Sequence, residues 1–221
     1  MAFKTLLFDL DATLYPAENG FWAEIAHRIE LYLIERMGIS PDKTTALKTA
    51  YYHEYGTTLR GLQHHHHIDP KEYLQFVHNI PTERYLQPDQ LLREMILALP
   101  QQKWIFTNSD FAHATRVLAA LGLADCFDGI ISLETLAYEC KPHPSVYQMA
   151  LQITGASDPR QVLYLDDSLR NLAPAHAMGI YTVHVGPSLS PNGTPLKFSP
   201  DLSIHRPHEL VHALPELLTL S

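Results

Sequence analysis

The sequence predicts an α/β protein with a doubly wound parallel sheet, a Rossmann-like core, and an all-helical segment inserted near its start. Three observations indicate this class. Short apolar runs recur along the chain and end in a polar residue or glycine. Helix-length amphipathic segments separate the later runs. After the first run, roughly seventy residues contain no strand-like pattern, which is too long for a simple loop.

The predicted strands are apolar along their length, as is typical of strands buried on both faces of a parallel sheet. They cover residues 5–10, 103–106, 129–131, 161–165, 181–185 and, as a short last strand, 202–204. Right-handed helical crossovers should connect them. Helices are predicted over residues 111–121, 145–154 and 169–178, followed by a turn-rich loop at 187–195 and a closing helix at 208–218.

The inserted segment, residues 16–88, is predicted to be helical. Apolar residues at helical spacing favour helices over 21–37, 42–55 and 72–80, and a further helix over 89–99 returns to the sheet. Proline and glycine separate these helices. We therefore expect a core domain formed by residues 1–15 and 89–221, and a separate helical cap domain formed by residues 16–88.

Composition narrows the class of ligand. The 221 residues carry a formal net charge of -8 without a Lys/Arg cluster, so a nucleic-acid partner is not expected. Asp9 and Asp11 interrupt the first apolar run, which excludes a signal peptide or membrane span there. The two cysteines lack ligand spacing and are predicted to be reduced thiols. We expect a cytoplasmic protein that binds a small molecule, while the sequence leaves the oligomeric state open.

Four carboxylates follow two of the predicted strands. Asp9 and Asp11 are two residues apart on an extended chain, so both point to one side and repel each other unless a cation or proton lies between them. Asp166 and Asp167 follow another strand, at the sheet edge where ligands bind. A single Asp at a strand end commonly caps a helix. Two pairs favour a metal site instead, and an all-oxygen set favours Mg²⁺.

Two other strand ends carry polar side chains that suit an anion. Thr107 and Asn108 precede a predicted helix and can offer hydroxyl, amide and backbone N–H groups to a phosphate. A simple helix cap would explain Ser109 or Asp110 equally well. Lys141 lies in a loop with two prolines that restrict the backbone. The alternatives for Lys141 are a solvated loop residue or a fixed charge that neutralises phosphate oxygens.

In chain order, these residues resemble the four motifs of the haloacid dehalogenase (HAD) superfamily: Asp-x-Asp-x-Thr, Thr-Asn, Lys-Pro and Asp-Asp-Ser-x-x-Asn. The resemblance spans nearly the whole chain. It implies a phosphatase, because similar dehalogenases lack an acid at the position of Asp11, whereas an alkoxide leaving group needs a proton. The implied roles are Asp9 as nucleophile, Asp11 as general acid and base, Thr107, Asn108 and Lys141 as phosphate ligands, and Asp9, Asp11, Asp166 and Asp167 around Mg²⁺.

The Leu14-Tyr15 step, the helical insertion and the Asp-Asp-Ser ending resemble the pyrimidine 5'-nucleotidase-like branch of this superfamily, from which Ala12 departs. The insertion is similar to the cap that selects the leaving group. We therefore expect a Mg²⁺-dependent phosphomonoester hydrolase that forms an aspartyl phosphate, with a pyrimidine nucleoside 5'-monophosphate as the leading substrate. The alternatives are a sugar-phosphate phosphatase, a phosphomutase, a 2-haloacid dehalogenase and a phosphoacceptor signalling module.

Two weaker signals lie in the insertion. The run His64 to His67 cannot turn four imidazoles to one ion on a helix or strand, so it is predicted to be solvated surface. Several aromatic residues could stack on a base, although aromatics at helical spacing more often form core. These are Tyr51, Tyr52, Tyr55 and Phe76.

Overall fold

The computed structural model describes residues 3–187 and 198–219. In this part of the chain, six parallel strands form one sheet in the order β3-β2-β1-β4-β5-β6. The strands are β1 Thr5–Phe8, β2 Gln102–Phe106, β3 Gly129–Ile131, β4 Val162–Asp166, β5 Tyr181–Val185 and β6 Leu202–Ile204. The predicted α/β class with a doubly wound parallel sheet is confirmed.

The described residues form nine α-helices, none of them both long and apolar enough to cross a membrane. They are α1 Phe21–Glu35, α2 Pro41–Tyr55, α3 Thr58–His66, α4 Pro70–Val77, α5 Gln90–Ala98, α6 Phe111–Ala120, α7 Pro144–Ile153, α8 Leu169–Ala177 and α9 Leu210–Ala213. Short 3-10 turns occur at Ala17–Asn19, Thr82–Arg84, Pro159–Gln161, Pro207–Glu209 and Pro215–Leu218.

The central strand β1 shows why the strands are continuously apolar. Leu6 and Phe8 belong to the hydrophobic cluster that also contains residues of the insertion, whereas Leu7 belongs to the cluster that contains Tyr147 and Tyr164. All five side chains are fully buried. Since successive residues of a strand point to opposite faces, burial on both faces requires apolar residues at every position.

The strand order reverses beside β1. The chain winds from β1 through β2 to β3 and then crosses to β4, on the other side of β1. The carboxyl ends of β1, β2 and β4 are therefore neighbours, at the crevice where doubly wound sheets bind ligands. Asp9 and Thr107 follow the first two of these strands, and Asp166 ends the third.

Residues 16–88 contain α1 to α4 and no strand. α1 packs against α2 and α4, and α2 packs against α3. Pro41 and Pro70 start α2 and α4, where the missing N–H has no helical partner to lose. The side chains of Thr57 and Asp69 cap α3 and α4 by accepting from backbone N–H groups. The helical character agrees with the sequence, and the division into two domains stays a prediction.

Two segments differ from the prediction. α3 forms where no helix was predicted, and its Gly61 allows close packing, since a Cβ there would lie 2.3 Å from the Tyr51 ring. The prediction of a continuous closing helix over 208–218 is wrong. Pro215 has no N–H to continue α9, so Leu214 leaves the helical conformation and a 3-10 turn follows. The predicted loop at 187–195 lies outside the described residues apart from Pro187.

Candidate active site

Asp9 is fixed to the sheet directly after β1. Its N–H donates to the Leu165 carbonyl at 2.9 Å, which continues the pairing with β4. One carboxylate oxygen accepts from the Thr13 hydroxyl at 3.0 Å, and the other accepts from Lys141 Nζ at 2.6 Å. The residue is 7% exposed. These contacts aim the carboxylate into the crevice between the strand ends.

Lys141 is a buried cation rather than a solvated loop residue. Its Nζ donates to Asp9 Oδ1 at 2.6 Å and to Asp166 Oδ2 at 3.0 Å. It also contacts the Phe106 carbonyl at 2.8 Å and the Tyr164 hydroxyl at 2.9 Å. Burial alone would lower the pKa of Lys141, but the carboxylates of Asp166 and Asp9 outweigh burial and raise it. The ammonium group therefore keeps its charge between two carboxylates.

Asn108 positions the backbone of Lys141. Its Nδ2 donates to the Lys141 carbonyl at 3.0 Å, and its Oδ1 accepts from the Lys141 N–H at 2.8 Å. Thr107 lies one residue earlier, and its hydroxyl oxygen accepts from the Ser109 N–H at 3.0 Å. Both Thr107 and Asn108 border the cavity over the site. Direct contacts from these side chains to a substrate phosphate stay predictions.

Three carboxylates from β1 and β4 form an acidic group. Oxygens of Asp9, Asp166 and Asp167 lie within 4.8 Å of one another. Burial raises the pKa of Asp9 to about 7, against the opposing effect of Lys141 and with a further contribution from Asp166. The enclosing protein raises the pKa of Asp167 to about 8, although its side chain opens onto the cavity, and the charges of Asp166 and Asp9 add to this. A dication would relieve the repulsion, so this oxygen-only donor set fits Mg²⁺.

Asp166 and Asp167 differ in their surroundings. Asp166 is fully buried and accepts from several donors at once. These donors are Lys141 Nζ at 3.0 Å, the Ser168 N–H at 2.8 Å, Asn171 Nδ2 at 3.1 Å and the Tyr164 hydroxyl. Asp167 is exposed to the cavity, and its N–H donates to Thr13 Oγ1 at 3.0 Å. Its carboxylate is thus the more accessible of the two.

The carboxylate of Asp11 is not part of the acidic group. It accepts from the Tyr15 hydroxyl at 2.7 Å, from Ser109 Oγ at 2.6 Å and from His113 Nε2 at 2.8 Å. Burial alone would raise the pKa of Asp11, but His113, Ser109 and Tyr15 outweigh burial and hold the pKa below its usual range. A contact from Asp11 to a cation stays a prediction.

Two residues of the site were missed in the sequence. His113 lies on the buried side of α6, and a single histidine in an amphipathic helix carries no signal of function. Tyr164 lies within the apolar run of β4, where a tyrosine is an ordinary core residue. Thr13, by contrast, belongs to the Asp-x-Asp-x-Thr motif, so a signal for its contact with Asp9 was present.

A cavity of about 470 Å³ lies between the strand ends and the insertion. Its lower wall contains Asp9, Asp11 and Lys141, and its upper wall contains exposed aromatic side chains, Trp22 at 45% and Tyr52 at 42%. Tyr52 is thus the one predicted stacking residue among its lining. The others lie elsewhere: Tyr51 is buried, the Tyr55 hydroxyl contacts His65 and Phe76 packs on Tyr32.

The histidine run lies on the surface of the insertion. All four residues from His64 to His67 are exposed. Two of the imidazoles contact tyrosine hydroxyls of α2, since His66 Nε2 lies 3.0 Å from Tyr51 and His65 Nε2 lies 2.8 Å from Tyr55. Among the described residues, the metal-compatible group of three or more ligands is the acidic one and includes none of these histidines. The prediction of solvated surface agrees with this exposure.

The chain matches the model of a known protein family. The model of the family "haloacid dehalogenase-like hydrolase" matches residues 3–179. The chain belongs to this family. The prediction of an enzyme, a hydrolase of the HAD superfamily, is therefore confirmed, while the pyrimidine nucleotidase branch is not specifically supported.

Two curated relatives of this HAD hydrolase carry phosphate-related names. Phosphate metabolism protein 8 of Saccharomyces cerevisiae is 31% identical over 197 residues, which cover 82% of this chain and 61% of that protein. The chain thus spans less than two thirds of the length of this relative. Pyrophosphatase PpaX of Halalkalibacterium halodurans is 24% identical over 233 residues, which cover 100% of this chain and 97% of that protein.

Among solved structures, the HAD hydrolase YfnB of Bacillus subtilis, solved bound to magnesium, is similar in fold. It superposes with a TM-score of 0.62 at 21% identity and covers 97% of this chain and 99% of that one. At this identity the likeness supports the fold alone. The magnesium is a property of YfnB.

Proposed function

We propose that this HAD hydrolase removes phosphate from a small phosphate monoester, with Asp9 as nucleophile and Asp11 as general acid and base. The observation that supports this proposal is that the two carboxylates have different hydrogen-bond partners. Asp9 belongs to the acidic group and accepts from Lys141 Nζ at 2.6 Å. Asp11 is held apart by three donors and borders the same cavity.

The reaction follows in two steps. An oxygen of Asp9 attacks phosphorus, the bond to the leaving oxygen breaks, and protonated Asp11 gives its proton to the departing alkoxide. Asp11 then takes a proton from water, whose oxygen attacks phosphorus, and phosphate leaves as the Asp9 carboxylate is restored. Lys141 stabilises charge on the nucleophile and on the transferred phosphoryl group, and Asn108 keeps Lys141 in place.

Mg²⁺ is part of the proposal. Bound at the acidic group, it would supply positive charge that balances the phosphate oxygens. Asp9 and Asp167 are the proposed carboxylate ligands. Asp166 already accepts from Lys141, from Tyr164 and from the Ser168 N–H, whereas Asp167 opens onto the cavity. We therefore assign Asp166 to holding Lys141 and Asp167 to direct contact with the ion.

The leading substrate is a pyrimidine nucleoside 5'-monophosphate. Support comes from Trp22 and Tyr52, two exposed aromatic side chains that line the cavity opposite the carboxylates. Water-exposed aromatic rings in a cavity offer flat apolar faces on which a base can stack. Ile25, Ile29 and Lys48, whose ammonium donates to Glu30 at 2.6 Å, also line the cavity. A sugar phosphate would use these faces less.

A phosphate-ester panel tests the proposal. Wild-type protein with Mg²⁺ should release phosphate from 4-nitrophenyl phosphate and should give its highest kcat/KM with uridine and cytidine monophosphates. Trp22→Leu and Tyr52→Leu should lower kcat/KM for these nucleotides by about tenfold, the scale of one stacked base, and leave sugar phosphates unaffected. Absence of turnover with any ester would reject the phosphatase. Nucleotides no better than 4-nitrophenyl phosphate would reject only the substrate.

A further inference from the structure

The three donors that hold Asp11 come from separate parts of the chain. Tyr15 lies in the loop after β1, Ser109 follows β2, and His113 lies on α6. Tyr15 and Ser109 are close in sequence to residues already placed in the site. His113 differs, because its ring is held by the inserted segment.

The imidazole of His113 stacks on two rings of residues 16–88. Its centroid lies 5.7 Å from that of Phe21 with an interplanar angle of 6°, and 4.0 Å from that of His78 with an angle of 28°. His113 is 2% exposed and His78 is 6% exposed. Close contact with two nearly parallel rings restricts the plane of the imidazole and therefore the direction in which Nε2 points.

His78 is itself tied to the start of α6. Its Nδ1 bonds to the carboxylate of Asp110, and its carbonyl accepts from Arg116 Nη2 at 3.0 Å. The other oxygen of Asp110 accepts from the His113 N–H at 2.7 Å and so caps α6. A buried network thus runs from the end of α4 through Asp110 and His113 to Asp11. The two-step reaction assigns no role to this network.

We propose that His113 is a positioning residue that orients the Asp11 carboxylate for proton transfer, and that Phe21 and His78 hold His113 in the orientation required. This inference rests on the proposed function, in which Asp11 protonates the leaving oxygen. His113 acts only through Asp11 and touches no reacting atom. The packing of residues 16–88 against α6 therefore helps to determine the orientation of the Asp11 carboxylate.

The leaving group distinguishes positioning from a structural role. An alkoxide departs with a proton, whereas 4-nitrophenolate departs without much help, so a misaimed Asp11 slows the first step for alkyl esters selectively. The ratio kcat/KM reports that first step for both kinds of ester. A general loss of folded protein would lower both values together.

The test compares His113→Leu with wild type on a nucleoside 5'-monophosphate and on 4-nitrophenyl phosphate. His113→Leu should lower kcat/KM for the nucleotide by about 10- to 100-fold, as misplacement of a catalytic group does, and for the aryl ester by about threefold at most. The aryl ester should also give a burst of one nitrophenolate per enzyme before slow turnover. His113→Gln, which keeps an N–H near the position of Nε2, should recover most of the wild-type ratio.

Two further variants serve as controls. Asp11→Asn sets the largest change in the alkyl-to-aryl ratio that loss of the shuttle can produce. Leu118→Ala removes buried volume from the same helix, where Leu118 is 3% exposed, and should lower Tm without changing the ratio.

Three results would overturn the inference. One is a folded His113→Leu variant whose kcat/KM falls by the same factor on both esters, or falls on neither ester. Should that variant fail to fold, His113→Gln and His113→Asn decide instead, because the shorter Asn cannot reach Asp11, and equal ratios for the two would count against positioning. The last is a wild-type ratio in Asp11→Asn, which would reject Asp11 as the proton shuttle of the proposed function as well as this inference. Loss of all ester hydrolysis in wild type would instead reject the proposed function.

Discussion

Asp9 and Asp11 are two residues apart yet have different partners. Asp9 lies against the ammonium of Lys141 and the hydroxyl of Thr13. Asp11 accepts from neutral hydroxyls and from His113 Nε2. A nucleophile benefits from a fixed cation that keeps it ionised, whereas a proton shuttle must both gain and lose its proton. Lys141 supplies such a cation to Asp9. The donors around Asp11 favour its ionised form, which suits the second step, in which Asp11 takes a proton from water.

Substitution of the two carboxylates should separate these roles. Asp9→Asn should be inactive at the first step, because a neutral amide does not attack phosphorus. Asp11→Asn should slow turnover by about 10²- to 10⁴-fold, yet still become phosphorylated by an aryl ester that needs little protonation. Intact-protein mass after acid quenching should therefore show one added phosphoryl group in Asp11→Asn and none in Asp9→Asn. The reverse pattern would exchange the two assignments.

Individual residues also show how far the sequence could define the site. The carboxylates, Thr107 and Lys141 were found because strand ends in a parallel sheet converge and because their motifs are short and local. His113 contacts Asp11 across 102 positions of sequence, and this contact depends on the angle at which α6 packs. No local pattern encodes that angle.

At the scale of elements, α8 contacts the helix that covers the cavity. Arg170 of α8 donates Nη2 to the His53 carbonyl at 2.7 Å and Nη1 to the Tyr52 carbonyl, both near the end of α2. Its guanidinium carbon also lies 4.9 Å from the centroid of the Tyr52 ring. The Tyr52 carbonyl also accepts from the Gly56 N–H at 3.0 Å, so the arginine adds donors at the end of this helix, where carbonyls run out of helical partners. Arg170 thus connects α8, the helix that follows Asp166 and Asp167, to the end of α2, which borders the cavity.

Loss of the contact between Arg170 and α2 should make the end of α2 more mobile over the cavity. Arg170→Gln should raise KM for the best substrate about 3- to 10-fold with a smaller effect on kcat, since each lost hydrogen bond is worth about 0.5–1.5 kcal/mol at a partly exposed site. Steady-state kinetics measure this. Arg160→Gln is the matched control, because the side-chain hydrogen bonds of Arg160 within the described residues go to Asp158. Equal KM values for the two variants would contradict the role of Arg170.

Asp201, directly before the edge strand β6, allows a prediction about how the stability of the fold depends on pH. Asp201 Oδ2 accepts from the N–H and the hydroxyl of Thr182, each at 2.8 Å, and from His176 Nδ1 at 3.2 Å. Partial burial would raise the pKa of Asp201, but these donors outweigh burial and lower it. Because the folded-state pKa lies below the unfolded value of about 3.9, this stabilisation is complete above that value and is lost as the pH falls through the folded-state pKa.

Asp201→Asn should therefore lower the free energy of unfolding by about 1 kcal/mol at pH 7, the difference between a charged and a neutral acceptor. The gap from wild type should narrow as the pH falls below 4. Urea denaturation at pH 7, 5 and 3.5 measures the gap. A gap that stays constant over this range would mean that the charge of Asp201 contributes nothing.

Elements were easier to predict than their ends. Strands and most helices could be predicted from the spacing of apolar residues, because those residues must face the core. α3 was missed because its sequence is polar over half its length. It forms by burying Leu59 and Leu62 and by packing Gly61 against Tyr51 of α2. The break before Pro215 was missed because apolar spacing continues through it, although proline cannot supply the N–H.

At the scale of the whole molecule, an ion bound at the acidic group should stabilise the folded state. The chain carries a net charge of -8, and two carboxylates of the group have raised pKa values near neutrality. An ion that binds only the folded state stabilises it by about 2.7 kcal/mol at one hundred times its Kd. For a protein of this size that corresponds to a rise in Tm of about 5–10 °C.

Calorimetry with EDTA and then with excess Mg²⁺ should show this rise, and EDTA should abolish phosphatase activity. Asp167→Asn should reduce the rise in Tm and the affinity for Mg²⁺. Glu35→Gln, which changes an exposed carboxylate on α1, should leave both unchanged. Full activity in EDTA, or a Tm indifferent to Mg²⁺, would remove the metal from the proposal.

The central position of β1 has a consequence for the order of events during synthesis. Phe8 pairs with Ile105 on one side and with Leu165 on the other. At about 5–20 residues per second, roughly 5 to 20 s pass before the ribosome delivers the first neighbour and roughly 8 to 30 s before it delivers the second. During that wait the apolar strand has no sheet to join. The helices of residues 16–88 emerge in the interval, and they carry the next residues of the hydrophobic cluster to which Leu6 and Phe8 belong.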